Sequence, residues 1–220
     1  MRVLIVDDHD VIFMGLYHVL SREGCLLTHA KTYEEAVCRL QKECFDTVVV
    51  DLSLVRTLGE SEEISVGFEL LGYIKQNVPN LPTIVVTGIQ WSQEPRYLFF
   101  AERAGAMGYF CKDSILHLIQ GLKTLCANRP DSLYSAEQCQ KILAFIRKRP
   151  LLTCRERAVI RCLDQGLPHK EIAAKLCVST TTIKTHLRNI YAKLQVSDTY
   201  GALKEGRHWG YLEQGWLRDQ

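Results

Sequence analysis

Five short apolar runs alternate with segments of helical spacing over the first half of the chain. Val, Ile and Leu dominate several of these runs, as in RVLIV at 2–6 and VVV at 48–50. Strands buried on both faces read as continuous apolar runs, and strands that alternate with helices form parallel sheets covered on both faces. We therefore expect a five-stranded, doubly wound parallel α/β sheet, with strands at 2–6, 25–30, 47–50, 83–86 and 107–111.

Helical spacing fills the gaps between these runs. Apolar residues recur every three or four positions at 11–20 and around Phe68, Leu71 and Ile74, and a further helix is expected at 93–104. The pair Asp113-Ser114 can cap a last helix that runs through Leu125.

Candidate site residues directly follow four of the five predicted strands. These residues are Asp7 and Asp8, Asp51, Thr87 and Lys112. Each alone is equally consistent with a strand that reaches the surface, but ligands of open parallel sheets bind at the carboxyl ends of the strands. Carboxylates bind Mg²⁺, and an aspartate can attack phosphorus to form an acyl phosphate. A lysine and a threonine can then hold the phosphoryl oxygens, so the sequence predicts a phosphoryl-transfer site.

Charge and cysteine content narrow the class of protein. Residues 1–130 carry a net charge of −4 and residues 150–220 carry +4, which favours a nucleic-acid partner for the second part. The nine cysteines include no C-x-x-C pair, so we expect no zinc site of common spacing and interpret them as small buried residues of a reducing cytosol. The N-terminus is acidic too early for a signal peptide, and no run of 18 apolar residues exists. We expect a cytoplasmic protein with no membrane partner.

Four motifs lie at the predicted strand ends: IVDDH at 5–9, VVVDLSL at 48–54, VVTG at 85–88 and GYFCKDS at 108–114. With these motifs, the first 127 residues resemble the receiver domain of bacterial two-component response regulators. The resemblance implies that a histidine kinase phosphorylates Asp51 and that Thr87, Lys112 and the switch aromatic Tyr109 respond to the phosphoryl group.

The same resemblance implies a cofactor. Mg²⁺ would be held by Asp8, by Asp51 and by the backbone carbonyl of Ser53, while Asp7 would assist through a water molecule.

The loop after Asp51 departs from the receiver pattern. No Met-Pro pair follows Asp51, and the matching glycine, Gly67, comes 16 residues later, so RTLGESEE at 56–63 is interpreted as an insertion of about eight residues. Its glutamates, Glu60, Glu62 and Glu63, could slow the approach of a phosphodonor or belong to a solvated loop without a role, and we favour the solvated loop. We expect Trp91 to lie in an exposed loop.

Residues 128–149 are interpreted as a linker with its own helix, and a second domain, a small all-α helix-turn-helix domain, is expected over 150–220. Thr153 and Glu156 form a T-x-x-E capping box, and Gly166 ends the helix that they open. Pro168 suits the first turn of the next helix. Ser179 is a good N-cap for a third helix that runs to about Leu194.

The third helix has two different faces. Ile183, Leu187, Ile190 and Leu194 fall on one side at a spacing typical of a buried stripe. The opposite side is cationic and hydroxyl-bearing, which is consistent with an ordinary solvated helix or with the recognition helix of a helix-turn-helix. Residues of that side and of the helix start could contact DNA: Thr181, Lys184, Thr185 and Arg188 at bases, Ser179 and Thr180 at phosphates.

LTCRERAVI at 152–160 and the segment 166–196 resemble the DNA-binding domain of the NarL/FixJ/LuxR type. The resemblance implies four helices with a recognition helix at about 180–193. It implies base contacts by Lys184, Thr185 and Arg188, and backbone contacts by His186 and Lys170. A fourth helix at about 199–207 often makes the dimer contact in that family, but the segment 199–216 is longer here.

These features favour a response-regulator transcription factor, not an enzyme. Its expected partners are a cognate histidine kinase, promoter DNA and a second copy of the chain, because the family binds two half-sites. One alternative is a receiver that acts as a protein-interaction module without phosphorylation. Another is an aspartate-based phosphatase, although Ser53, not a second acid, stands two residues after Asp51.

Overall fold

The computed structural model describes residues 1–61, 63–128 and 132–212, apart from the side chains of residues 126 and 128. It divides into two compact units, the first ending at Leu143 and the second beginning at Ala144. The division falls inside a helix, whereas the sequence placed the limits of a linker at 128 and 149. Within the described residues, no helix is long and apolar enough to cross a membrane.

The first unit is built on a parallel five-stranded sheet with the order β2-β1-β3-β4-β5. This confirms the predicted fold class. The strands are β1 (Arg2–Val6), β2 (Leu26–Ala30), β3 (Thr47–Asp51), β4 (Thr83–Thr87) and β5 (Gly108–Cys111). Met107 was expected in the fifth strand but precedes it.

Helices cover both faces of this sheet. The sheet residues Val3, Ile5, Val49, Ile84 and Val86 share one core with buried residues of the first and fifth helices, because alternate strand residues point to the same face. The helices are α1 (Asp10–Leu20), α2 (Tyr33–Lys42), α3 (Ile64–Asn77), α4 (Pro95–Arg103) and α5 (Ile115–Asn128).

The start of α4 differs from the sequence prediction. Helix α4 begins at Pro95 and not at 93, since proline suits the first turn of a helix and lacks the N–H that a later position would need. Asp113 and Ser114 lie in a 3₁₀ turn over Lys112–Ser114, directly before the first residue of α5, Ile115.

The second unit is helical around a core that includes Val159, Ile172, Ile183 and Leu187. The helices are α6 (Ala136–Lys148), which enters it from the first unit, α7 (Cys154–Asp164), α8 (His169–Lys175), α9 (Thr180–Leu194) and α10 (Thr199–His208).

Side-chain caps fix where these helices begin. Both halves of the Thr153–Glu156 capping box form at α7, and Ser179 accepts a hydrogen bond from the Thr182 N–H at α9. Pro168 occupies the N-cap of α8 and not its first turn, because its extended ψ of 153° cannot continue a helix.

The interpretation of the cysteines as buried residues is largely wrong. Among the eight cysteines whose side chains are described, Cys25, Cys111 and Cys162 are buried and the other five are exposed. Small size alone does not bury a thiol on a helix face that turns outward.

Candidate functional site

Two buried carboxylates share one ammonium group at the carboxyl end of the sheet. Asp7 follows β1 and Asp51 ends the neighbouring strand β3; their exposed fractions are 0% and 1%. Lys112 comes directly after β5, and its Nζ lies 2.7 Å from Asp51 Oδ2 and 2.8 Å from Asp7 Oδ2. The three side chains that the sequence placed at separate strand ends therefore meet at one point.

The electrostatics of this cluster leave negative charge uncompensated. Burial raises the pKa of Asp51 to about 7; Lys112 opposes this rise, and Asp7 adds to it. Burial acts to lower the pKa of Lys112, but the Asp51 and Asp7 carboxylates outweigh it and raise that pKa, so Lys112 stays charged. A single ammonium faces two carboxylates, and a further cation would stabilise the ionised state of both.

The chemistry of the donor set fits a hard divalent cation. Asp7, Asp8 and His9 each offer a ligand atom, and these atoms lie within 4.8 Å of one another. Among the described residues, none donates a hydrogen bond of good geometry to the buried Asp7 Oδ2, although Lys112 lies within ion-pair distance. Carboxylate oxygens are the ligands that Mg²⁺ prefers.

Further contacts describe the surroundings of the expected ligands. Asp51 is not part of the group of three, and its Oδ1 accepts a hydrogen bond from the Ser53 amide N–H at 3.2 Å. His9, which the sequence analysis did not single out, donates its backbone N–H to Asp7 Oδ1 at 2.9 Å and places Nδ1 2.8 Å from Asp8 Oδ1. The signal for His9 was its position directly after the two acids.

Gly67 lets helix α3 lie directly on the backbone that carries Asp51. A Cβ at Gly67 would lie 2.4 Å from the Leu52 carbonyl oxygen and 2.6 Å from the Asp51 carbonyl oxygen. Only a residue without a side chain fits there. This close contact gives a physical reason for a glycine at the far end of the long loop.

The long loop itself has a buried stem and an exposed tip. Leu54 and Val55 are buried, and the Leu54 N–H and carbonyl pair with Glu63. Leu58 and Glu60 at the tip are exposed, as the interpretation of a solvated loop requires, while Glu62 lies outside the described residues. Trp91, expected in an exposed loop, is half-buried.

The switch residues are linked through a loop carbonyl. The buried Tyr109 side chain donates its hydroxyl to the Ile89 carbonyl at 3.1 Å, and the Ile89 N–H donates to Thr87 Oγ1 at 3.3 Å. Burial raises the pKa of Tyr109, so this hydroxyl remains a donor. Sequence analysis identified the threonine and the tyrosine but not the residue that joins them.

Helix α9 presents the predicted face to solvent. Its apolar residues Ile183, Leu187, Ile190 and Leu194 are buried, while the four candidate base-contacting residues on its other side are exposed. Neither Lys184 nor Arg188 forms an ion pair with another residue of the described chain, so both charges are available to a ligand. The exposed candidates are Thr181, Lys184, Thr185 and Arg188.

The other candidate contacts lie in α8, at the start of α9 and inside α9. Ser179, Thr180 and Lys170 are exposed, whereas His186 is half-buried. The Ser179 side chain is already used as the N-cap, and Thr185 Oγ1 donates to the Thr181 carbonyl at 3.2 Å. The Ser179 and Thr185 hydroxyls are therefore already used within the helix, whereas Lys170 is an exposed cation.

Two family models match the chain. The model described as the response regulator receiver domain matches residues 3–123, and the model of bacterial regulatory proteins of the luxR family matches residues 150–203. The first covers more than half of the chain.

Individual proteins match over nearly the full length. The response regulator protein VraR of Staphylococcus aureus (strain Mu3 / ATCC 700698) is 26% identical over 204 residues, which are 90% of this chain and 91% of VraR. RcsB of Salmonella enterica serovar Typhimurium, solved on promoter rprA with the phosphomimetic BeF₃⁻, is 25% identical with a TM-score of 0.59; 93% of this chain and 97% of that chain are covered.

A further structure contains two RcsB dimers on two parallel DNAs. It is 23% identical, has a TM-score of 0.57 and covers 94% of this chain and 98% of that chain. The receiver model matches the unit whose sheet brings Asp7, Asp51 and Lys112 together, and the luxR model matches the helical unit that exposes α9. The chain therefore belongs to the response regulators, with a receiver domain followed by a LuxR-type helix-turn-helix domain.

Proposed function

We propose that a histidine kinase phosphorylates Asp51 and that this modification controls sequence-specific DNA binding by the second unit. The observation that carries the proposal is the position of Lys112 between Asp51 and Asp7. A buried acid at the end of a central strand, held against an ammonium and beside further carboxylates, is equipped to accept and hold a phosphoryl group.

The chemistry follows from this arrangement. An Asp51 oxygen attacks phosphorus, the P–O bond to Asp51 forms, and the bond from phosphorus to the donor group breaks. Lys112 then faces a more negative oxygen cluster, and the Thr87 hydroxyl can donate to a phosphoryl oxygen. Mg²⁺ held by Asp8, Asp51 and the Ser53 carbonyl, with Asp7 assisting through a water molecule, would neutralise phosphoryl oxygens.

Phosphorylation changes the populations of two receiver states. If the Thr87 hydroxyl turns to the phosphoryl group, it exchanges its hydrogen bond with the Ile89 N–H, and the Ile89 carbonyl that accepts from Tyr109 moves with it. A modification can shift such an equilibrium only by its differential stabilisation of the two states.

DNA binding is assigned to the exposed face of α9. Lys184 and Arg188 carry charges that no described residue neutralises, and arginine can read guanine edges in the major groove. Thr181 and Thr185 lie on the same face. Ser179, Thr180, Lys170 and His186 lie where phosphate contacts are expected.

We assign dimer formation to the receiver unit. RcsB binds DNA as dimers. Helix α1 of this chain exposes a row of large apolar side chains, Val11 at 80%, Met14 at 61% and Tyr17 at 48%. An apolar row on one helix face is typical of an interaction surface, and a second copy of the chain supplies a matching one.

A second candidate is a receiver that signals without phosphorylation. The observation that favours it is the buried position of Tyr109, which is the inward position that the family resemblance associates with the phosphorylated state. In that case partner binding, and not modification of Asp51, would control the DNA-binding unit.

Intact mass tests the choice between these candidates. The full chain is incubated with acetyl phosphate and Mg²⁺, beside the Asp51→Asn variant. A gain of about 80 Da, one phosphoryl group added by the acyl-phosphate chemistry described above, is expected in the unmodified sequence and not in the variant. An unchanged mass, both with acetyl phosphate and with the cognate kinase, would favour the interaction module.

A further inference from the structure

The segment that follows the receiver sheet is hydrogen-bonded to the sheet's edge. β5 is the last strand in the order β2-β1-β3-β4-β5, so among the described residues no strand pairs with its outer side. The Leu133 N–H donates to the Met107 carbonyl at 2.6 Å, and the Gln138 side-chain amide donates to the Tyr109 carbonyl at 2.8 Å. We call residues 133–138 the clasp. It supplies the edge strand with donors that a sixth strand would otherwise provide.

Gln138 uses both ends of its side-chain amide. Its Oε1 accepts from the Ser135 N–H at 2.9 Å, while Ser135 Oγ accepts from the Gln138 N–H at 3.1 Å. These two bonds form a capping box that starts helix α6. The amide nitrogen of the same side chain holds the Tyr109 carbonyl, and the residue is only 6% exposed. One side chain therefore fixes both the beginning of α6 and its attachment to β5.

Tyr109 is bonded at its other end to the phosphoacceptor side of the sheet. Its hydroxyl donates to Ile89, whose N–H donates to Thr87 at the end of β4. The neighbouring β3 carries Asp51, which pairs with Val86 in register. A continuous series of three hydrogen bonds thus leads from Thr87 to Gln138.

The surroundings leave space for this series to rearrange. A cleft of about 440 Å³ is lined by Trp91, Tyr109, Leu133 and Gln138, among other residues of the first unit. A tyrosine ring and a loop that border a cleft can repack without opening the core on the other side of the strand.

We propose that Gln138 is a positioning residue that makes the start of α6 respond to the state of Asp51. The proposal rests on the proposed phosphorylation of Asp51 and adds the hydrogen bonds through which that modification would affect the start of α6. When Thr87 exchanges its bond, the Ile89 carbonyl and Tyr109 shift, and the bond from Gln138 to Tyr109 changes with them. Helix α6 then begins from a different anchor, and that helix continues into the second unit.

A matched pair of variants, each of which replaces an amide by a carboxylate, separates this role from helix capping. Gln138→Glu keeps an oxygen that can cap α6, but it places an acceptor against the Tyr109 carbonyl and so removes the clasp bond. Gln140→Glu makes the same chemical change at an exposed position of the same helix. Gln138→Met removes the donor without adding a charge, and it takes the place of Gln138→Glu if thermal melting shows that the buried carboxylate prevents folding.

The readout is hydrogen exchange of the full chain, measured by mass spectrometry with and without acetyl phosphate and Mg²⁺. In the unmodified sequence, phosphorylation is expected to change exchange both in the loop at 88–92 and in the clasp. Gln138→Glu should retain the loop response and lose the clasp response. Before phosphorylation its clasp should exchange roughly two- to tenfold faster, the effect of one net hydrogen bond. Gln140→Glu should behave as the parent does.

Two results would overturn the proposal: a clasp that does not respond in the phosphorylated parent chain while the loop does, or a clasp that still responds in Gln138→Glu. Intact mass distinguishes these from failure of the proposed function. If the parent chain gains no phosphoryl group from either donor, the phosphorylation switch and this extension of it fail together. If the parent chain gains a phosphoryl group and hydrogen exchange in the clasp does not change, only the proposed role of Gln138 fails.

Discussion

Replacing Gly67 by alanine tests whether helix α3 sets the position of the phosphoacceptor strand. The added Cβ would lie 2.4 to 2.6 Å from three backbone atoms of Asp51 and Leu52, whereas ordinary contacts begin at 3.4 Å. The helix and the strand end must therefore separate by about 1 Å. Overpacking costs about 1–3 kcal/mol, and alanine regains about 1 kcal/mol of helix preference. Because the obstructing atoms belong to the backbone, the overpacking cost should lie at the upper end of this range. We expect the free energy of unfolding to fall by about 2 kcal/mol.

The same displacement should slow phosphorylation. A misplacement of about 1 Å at a reacting group can reduce a rate by roughly 10²-fold. Urea unfolding gives the free energy of unfolding, and intact mass over time gives the rate with acetyl phosphate. Gly15→Ala on α1 is the matched control, since its nearest neighbour, Ile115 Cδ1, would be 3.6 Å away and the variant should be as stable as the parent or more so. Gly67→Ala with the stability and phosphorylation rate of Gly15→Ala would refute this reasoning.

Three further predictions concern the second unit and the dimer. Glu156 is 3% exposed, and although burial acts to raise its pKa, its bonds to Lys193 and to the capping box lower it. A depressed carboxyl pKa stabilises the fold above the unfolded pKa of about 4.3 and loses that contribution as the pH falls through the folded value. Glu156→Gln should thus lower the free energy of unfolding by about 1–2 kcal/mol at pH 7 and make that free energy fall less steeply as the pH is lowered. An unchanged pH dependence in urea titrations from pH 7 to pH 3 would contradict this. Arg188→Ala should weaken specific DNA binding by about 1–3 kcal/mol and non-specific binding much less, whereas Lys170→Ala should weaken both alike; equal loss for both kinds of DNA in Arg188→Ala would make it a backbone contact. Met14→Glu should leave the unfolding free energy within about 0.5 kcal/mol and weaken dimerisation in sedimentation experiments; an unaffected dimer would place the interface elsewhere.

The sequence predicted the receiver sheet because its central strands, β3 and β4, are buried on both faces. Such strands cannot alternate apolar and polar residues, so a run such as VVV at 48–50 marks both the strand and the place where it ends. Parallel strands end on one edge of the sheet, which is why Asp7, Asp51 and Lys112 could be grouped before their distances were known.

Contacts between side chains and backbone could not be predicted in the same way. The bond from Gln138 to the Tyr109 carbonyl joins residues 29 positions apart, and its acceptor is a group that every residue carries. Only the capping half of that arrangement leaves a sequence signal, the S-x-x-Q spacing of Ser135 and Gln138.

The exposure of the cysteines was misjudged for a related reason. A thiol is small enough for a core, but burial is decided by which face of an element the residue occupies. The exposed Cys177, for instance, lies in the turn between α8 and α9 at a φ of 54°. The general tendency of cysteine to be buried does not indicate which face of an element a given cysteine occupies.

The dependence of DNA affinity on the state of Asp51 is the most direct measurement. A duplex selected from random sequence by the phosphorylated full chain is titrated at fixed salt with phosphorylated protein, unphosphorylated protein and Asp51→Asn. We expect phosphorylation, verified by mass, to tighten binding by roughly 5- to 150-fold, the usual range of coupling between two sites, and acetyl phosphate to leave Asp51→Asn unchanged. Equal affinities for the phosphorylated and unphosphorylated chains would contradict control of DNA binding by Asp51.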